Sequence, residues 1–174
     1  MKSIVFEAQR PLRDSYVKDP NIAMVTDHAK TSGDHAADPF HSIVEPMDGC
    51  GVMVPVGVHA AVGGKHDAPT PGDILCAALA ACQDSTIRMI ADLMGIELVE
   101  LEVNVTATAD VRGTLMMDKL VPVGFQKMTC EVKMKVSEGT DSKQLQRLQS
   151  AAMACCVVQQ TLKSPPPVET IFIS

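Results

Sequence analysis

Six cysteines and five histidines are the side chains in this 174-residue sequence whose types suit nucleophilic, redox or metal chemistry. Two of the cysteines, Cys155 and Cys156, are adjacent in the stretch MACCVVQQTL, residues 153–162. Neighbouring cysteines seldom pair with each other, because the peptide that links them imposes poor disulfide geometry. A working partner for either must therefore come from elsewhere in the chain. On residue type alone, each cysteine is a small buried hydrophobe, a metal ligand or a reactive thiol. Packing is the simplest reading for Cys76 and Cys130, which fall on apolar faces, and it also suits Cys82, set between small alanines. Cys50, in MDGCGV, reads as a loop residue with nothing beside it to promote a thiolate.

His28, His35, His41, His59 and His66 fall within 39 residues, which invites a metal reading. No pair shows the H-x-H or H-x-x-x-H spacing that puts two imidazoles on one ion, and no C-x-x-C accompanies them. Solvent-exposed loop histidines, with no metal and no other cofactor, are the expectation; a composite zinc site of cysteines and a histidine is the alternative.

These residues need elements to hold them. TPGDILCAALAACQDSTIRMIADLMG reads as a helix of about 24 residues. Thr70 is its N-cap, Pro71 takes the first helical position and Asp73 completes a capping box. Gly95 suits the left-handed position that ends it. Leu75, Leu79, Cys82, Thr86, Met89 and Leu93 form one stripe, and residues 74–82 are apolar around the whole circumference, which predicts burial on every side. After it, Leu101, Val103, Val105 and Ala107 alternate with Glu102, Asn104, Thr106 and Thr108. Met128, Cys130, Val132, Met134 and Val136 alternate in the same way with polar residues. Both segments are half-wet strands and should pair antiparallel. A second helix over roughly 141–163 carries the adjacent cysteines, about 100° apart on its surface. VETIFI near the C-terminus reads as a last strand, SIVFEA near the N-terminus as a first one, and residues 11–70 as irregular, with MVTDHAK and GVMVPVGVHAAV as further short strand candidates. The order implies an α+β fold in a single domain, residues 1–174, with an N-terminal arm over 1–62 and a core over 63–174.

Composition narrows the function. The net charge of −6 and the absence of Trp argue against nucleic acid or anionic lipid as partner. The longest unbroken apolar run, ILCAALAAC, is far short of a membrane span. No leader is visible at the N-terminus, so a cytoplasmic location is expected, and in a reducing compartment six cysteines are not a disulfide framework.

Two motifs then stand out together. PTPGDILCAALAACQDSTIRMIADLMGIEL resembles the first signature of the OsmC/Ohr family of peroxide-reducing proteins, and CCVVQQTL resembles its second. The resemblance covers about residues 63–174. It implies an OsmC-like fold: antiparallel sheets around a long buried central helix, in an intertwined homodimer. It aligns Cys82 and Cys156 with the family's redox pair and leaves Cys155 as filler, because Val157, Val158, Thr161 and Leu162 follow Cys156 at the right offsets. The implied chemistry is thiol-dependent reduction of organic hydroperoxides, through a sulfenic acid on Cys82 and a disulfide to Cys156, with recycling by a dithiol such as a lipoylated protein. It also implies an arginine from the N-terminal part, for which Arg13 is the candidate, held by an acidic residue at the start of the helix, where Asp73 and Gly72 stand. Asp73 lies nine residues before Cys82, about 13 Å along the axis and on the opposite face, so it would act through an arginine or in another subunit. Burial raises a thiol pKa, and Cys82 is too far into its own helix for that helix's dipole to help. The rival reading is a non-enzymatic pocket that binds an apolar or thiol-reactive small molecule.

Overall fold

The computed structural model describes residues 2–31 and 36–173. In chain order the elements are α1 (Ile4–Lys18), β1 (Ala29–Thr31), β2 (His41–Pro46), β3 (Val54–Gly57), α2 (Pro71–Met94), β4 (Leu98–Thr108), α3 (Val111–Thr114), β5 (Lys127–Val136), α4 (Ser142–Cys155) and α5 (Val157–Lys163). Strands β1, β2 and β3 form one sheet and β4 and β5 another. The result is a mixed α+β fold with small antiparallel sheets and a long helix, as the sequence predicts. The chain divides into two compact units: Met1–Gln9 with Ala78–Asn104 and Cys130–Ser174, and Arg10–Ala77 with Val105–Thr129.

In the first unit the core forms around Ala91, Ile96 and Leu148, with Ile90, Met94, Leu98, Met134, Val136 and Leu145 packed against them. The C-terminus of α2 makes this possible. Gly95 turns the chain with φ +67°, a left-handed value that favours glycine. Gly95 N–H then donates to Asp92 C=O (3.1 Å) and Ile96 N–H to Ala91 C=O (2.9 Å). These are the two bonds of a Schellman cap, and Ile96 folds back onto Ala91. The strands read as expected, with inward Leu101, Val103, Val105 and Ala107 on β4 and inward Met128, Cys130, Met134 and Val136 on β5; Val132 is exposed. Bonds from Gln126 N–H to Thr108 C=O (2.9 Å) and from Ser137 N–H to Glu97 C=O (3.0 Å) bracket the β4–β5 ladder and fix its antiparallel sense.

In the second unit, β2 lies between β1 and β3, with Thr31 opposite Val44 and His41 opposite Gly57. Glu45 is buried on β2 and pairs with Lys30 of β1 (3.3 Å). The start of α2 is fixed by the expected capping box. Asp73 accepts from the Thr70 N–H (2.8 Å) and hydroxyl (2.7 Å), and Asp73 N–H donates back to Thr70 Oγ1 (3.2 Å).

Four expectations are corrected. SIVFEA is not a strand but the start of α1. Ser3 Oγ accepts from Phe6 N–H (2.9 Å), and the distant Asp92 carboxylate accepts from Ser3 Oγ (2.5 Å) and Val5 N–H (2.9 Å). An acceptor 87 residues on in the chain from Val5 satisfies the helix's orphan amides. VETIFI makes no ladder; Phe172 and Ile173 are each 94% exposed. Strand propensity is realised only where a sheet edge accepts the segment. The helix expected over 141–163 is broken at Cys156 into α4 and α5. Finally, residues 74–82 are not enclosed: Leu79 is buried, but Ala77, Ala78 and Ala81 are exposed. One chain supplies neighbours for only part of that circumference. The buried row on α2 is Leu79, Gln83, Thr86, Ile87 and Ala91, so it is rotated from the predicted stripe, and Met89 is exposed. By length and composition α2 is apolar enough to cross a membrane. Asp84, Arg88 and Asp92 along its second half are nonetheless engaged in hydrogen bonds within the protein.

Candidate active site

The second helix breaks at the residue that matters. Cys156 has φ −72° and ψ 107°, an extended conformation between α4 and α5. Its own N–H still closes α4 onto Ala152 C=O (3.1 Å), and its C=O opens α5 by accepting from Gln160 N–H (2.9 Å). The break frees the Met153 carbonyl, which the Gln160 side-chain amide caps at 2.7 Å. Neither Gly nor Pro signals this in the sequence. Val157 is the first residue of α5, the position proline favours in a helix, but valine itself gives no signal there.

The kink turns Cys156 inward. Its side chain is fully buried, whereas Cys155, the last residue of α4, is exposed. Cys156 Sγ lies 3.2 Å from Cys82 Sγ. Both are free thiols, well beyond the disulfide length of about 2.05 Å yet in direct contact. Two sulfurs separated by 74 positions are thus neighbours in one unit.

The electrostatics differ between the two. Burial pushes the Cys82 thiol up, but hydrogen bonds outweigh it: first the Val158 N–H, then the Cys156 thiol and the Val157 N–H. The net result lies below the ordinary thiol value. Burial is also the largest influence on Cys156, opposed by the Gln159 N–H and reinforced by Cys82 and Cys130, and the net lies above the ordinary value. The first three amides of α5 therefore serve the sulfurs, because nothing else caps that helix start. The dipole of α2 is too remote to lower the Cys82 thiol, but the first amides of a different helix, α5, act on it. Thr86, four residues after Cys82, also donates its hydroxyl to the Cys82 carbonyl (2.7 Å).

Arg13 is on α1 in the second unit, and Asp73 is there too, in its capping box and 3.9 Å from His66 Nε2. At Gly72 a Cβ would meet Phe125 Cζ at 2.9 Å, so no acidic residue fits there without displacing that ring. Arg88 is paired with Asp84 (2.6 Å) and Arg112 with Asp110 (2.5 Å), both on the surface. Burial raises the Cys76 thiol, and Asp73 adds to it. Cys50 is exposed and donates to Pro46 C=O (2.9 Å). Among the histidines, His41 bonds Asp38 and Asp67, and His59 accepts from Ala61 N–H (3.0 Å). His35 lies outside the described residues. Among the described residues, no group of three or more His, Cys, Asp or Glu side chains forms a metal cage. Sequence reasoning missed Gln83, which is 3% exposed beside Cys82 and whose Oε1 has no partner among the described residues. Its only signal is its place in the i+4 row from Leu79 to Ile87.

With this geometry in view, the sequence profile of OsmC-like proteins matches residues 64–171, more than half of the chain. The chain belongs to the OsmC-like protein family. Solved structures of similar fold include an OsmC-like protein from Mycoplasma pneumoniae, with TM-score 0.63 and 12% identity over 81% of this chain and 89% of that one. An organic hydroperoxide resistance protein OsmC from Legionella pneumophila aligns with TM-score 0.58 and 20% identity over 81% and 91%. One from Elizabethkingia anophelis, with thiocyanate bound, aligns with TM-score 0.59 and 18% identity over 82% and 91%. At these identities the likeness establishes the fold. No curated protein matches the sequence. Family membership makes a peroxide-related redox role the functional frame for this OsmC-like chain, and the cysteine pair lies within the matched residues.

Proposed function

We propose that this OsmC-like chain is a cysteine-based peroxidase that reduces organic hydroperoxides through Cys82 and Cys156. The observation that carries the reading is the 3.2 Å contact between two free thiols of opposite tendency. The Cys82 thiol is held below its ordinary value and the Cys156 thiol above it, so Cys82 is the readier of the two to ionise. The thiolate is the nucleophile. Cys82 sulfur attacks a peroxide oxygen, the O–O bond breaks, and the alkoxide takes a proton to leave as an alcohol. Cys82 is then a sulfenic acid. The Cys156 thiol condenses with it, water departs, and a disulfide closes across a gap that a small shift of the Cys156 kink would cover. A dithiol reductant of lipoyl type returns both thiols by exchange.

The proposal includes a second copy of the chain. Exposed Ala77, Ala78, Ala81 and Met89 leave part of α2 uncovered, and a homodimer would cover it. Arg13 and Asp73 enter the proposal as a cation and its holder contributed by that copy. The pair would work in the cytoplasm, where thiols are kept reduced.

Free thiols are counted before and after about one equivalent of cumene hydroperoxide. The reading expects two thiols lost per chain and both regained with dihydrolipoamide. Cys82→Ser abolishes the loss, Cys156→Ser leaves a sulfenic acid that dimedone traps, and Cys155→Ser behaves like the parent. Unchanged thiols throughout would leave the protein a binder of small apolar molecules instead.

A further inference from the structure

The two cysteines of the pair differ in access. Cys156 is 0% exposed, enclosed at the break between α4 and α5. Cys82 is half-buried and stands on the border between two faces of α2. Leu79 and Thr86, about 60° and 40° round the helix from it, are buried; Ala78, Ser85 and Met89, on its other side, are exposed. Cys82 therefore borders solvent on one side and Cys156 on none. Closing the disulfide preserves this difference. The sulfurs already stand 3.2 Å apart. Reaching the disulfide length of about 2.05 Å takes a movement of about 1 Å, far less than uncovering an enclosed residue requires. A second copy against α2 would wall the opening at Cys82 without sealing it, because the hydroperoxide must reach that same sulfur.

We propose that the external dithiol opens the Cys82–Cys156 disulfide by attacking Cys82 Sγ, with Cys156 as the leaving thiol, so that Cys82 receives both the peroxide and the reductant. The inference rests on the peroxidase reading above and assigns its recycling step to one sulfur. A thiolate displaces one disulfide sulfur from the other and forms a mixed disulfide. Attack on Cys156 Sγ would have to start inside the protein, whereas attack on Cys82 Sγ starts from its open side. One thiol of the reductant gives its proton to solvent, and its sulfur bonds Cys82 Sγ. The Cys82–Cys156 bond breaks, and Cys156 leaves with the electron pair and takes up a proton. The reductant's second thiolate then attacks its own first sulfur, closes a cyclic disulfide and releases Cys82 as thiolate. Two electrons pass from the dithiol to the pair. Leaving-group strength argues the opposite way, because the lower thiol, Cys82, would leave faster. Access decides, since an enclosed sulfur is attacked only during the fraction of time that its cover opens.

The test uses the full chain with Cys50→Ser and Cys155→Ser, which silence the two exposed thiols. Its Cys82–Cys156 disulfide is formed with diamide, so that no peroxide chemistry enters. Glutathione then stands in for the first thiol of the reductant; lacking a second one, it stays on the sulfur it attacks. The reaction is quenched at early times with N-ethylmaleimide, and the adducts are mapped by peptide mass spectrometry. The expected result is glutathione on Cys82 and maleimide on Cys156, with at least about tenfold more glutathione on Cys82 than on Cys156. Glutathione mainly on Cys156, or shared equally, overturns the inference; if the same protein consumes cumene hydroperoxide, the peroxidase reading stands. Glutathione on Cys82 in a protein that consumes no hydroperoxide defeats the peroxidase reading and leaves the site of thiol attack as assigned. Failure of diamide to join Cys82 to Cys156 overturns both.

Discussion

Cys156 Sγ lies 3.2 Å from Cys82 Sγ, although the two residues are 74 positions apart in the chain. The first amides of the helix that begins just after Cys156 act to lower the Cys82 thiol, Val158 foremost. Breaking the second helix at Cys156 does two things at once. It turns that thiol into contact with Cys82, and it exposes unpaired amides for the Cys82 sulfur to accept from.

Val157→Pro tests the role of the break. Cys156 is already extended, as a residue before proline must be, and proline suits the first helical position. Stability should rise by about 0.4–1 kcal/mol. The Val157 N–H, the weakest of the donors to Cys82, is lost. The pH midpoint for alkylation of Cys82 by iodoacetamide should therefore move up, while remaining below that of an ordinary thiol. An unchanged midpoint would show that this amide plays no part.

Leu148→Ala probes the packing from which the site is hung. Leu148 is fully buried among residues of α2, α4 and β5. The expected loss is about 2–5 kcal/mol in urea unfolding at unchanged m. A loss under 1 kcal/mol, on the order of a surface change, would contradict the placement of the core.

Gln83→Met removes a buried acceptor that has no partner among the described residues. Such a group costs about 1–3 kcal/mol, and an apolar side chain of similar shape avoids that. The variant should unfold at a higher urea concentration than the parent. A lower midpoint would mean that Oε1 has a partner after all.

His41→Gln bears on pH dependence in the second unit. His41 Nδ1 meets Asp38 (2.8 Å) and Nε2 meets Asp67 (3.0 Å). These contacts, Asp38 foremost, raise His41 above its ordinary 6.5. Asp38 is lowered, first by the Phe40 N–H and then by His41, and Asp67 is lowered by His41; both start from 3.8. A raised histidine gives stability that is full below 6.5 and lost as pH climbs through the folded value. The lowered carboxylates give stability present above 3.8 and lost as pH falls through theirs. The difference in melting temperature between parent and variant should therefore be greatest between about pH 4 and 6.5 and shrink above it. A difference that grows towards pH 8 would sink this account.

Much of the scaffold was legible in the residue pattern. The capping box of Thr70 and Asp73 and the Gly95 stop are satisfied by neighbours within a few positions, and the alternation of β4 is a period-2 pattern local to the strand even though its ladder partner β5 comes later in the chain. Period and capping act over one turn or one pleat, so a linear reading reaches them. Cys82 and Cys156 were singled out by the resemblance of their segments to the OsmC/Ohr signatures, since residue type alone left Cys82 a packing residue and did not separate Cys155 from Cys156. Three things were not legible. SIVFEA became helix because Asp92 of α2 completes its cap. VETIFI stayed extended without a ladder because no edge among the described residues receives it. The kink at Cys156 arises where Gln160 and the two sulfurs take up the groups that an unbroken helix would have paired. Each of these depends on a partner distant in sequence. The sequence by itself determined which thiols the chain carries and the elements that hold them; only the tertiary structure decided which sulfur meets which, and which backbone amides charge it, because contact and hydrogen bonding across 74 residues are properties of packing and not of order along the chain.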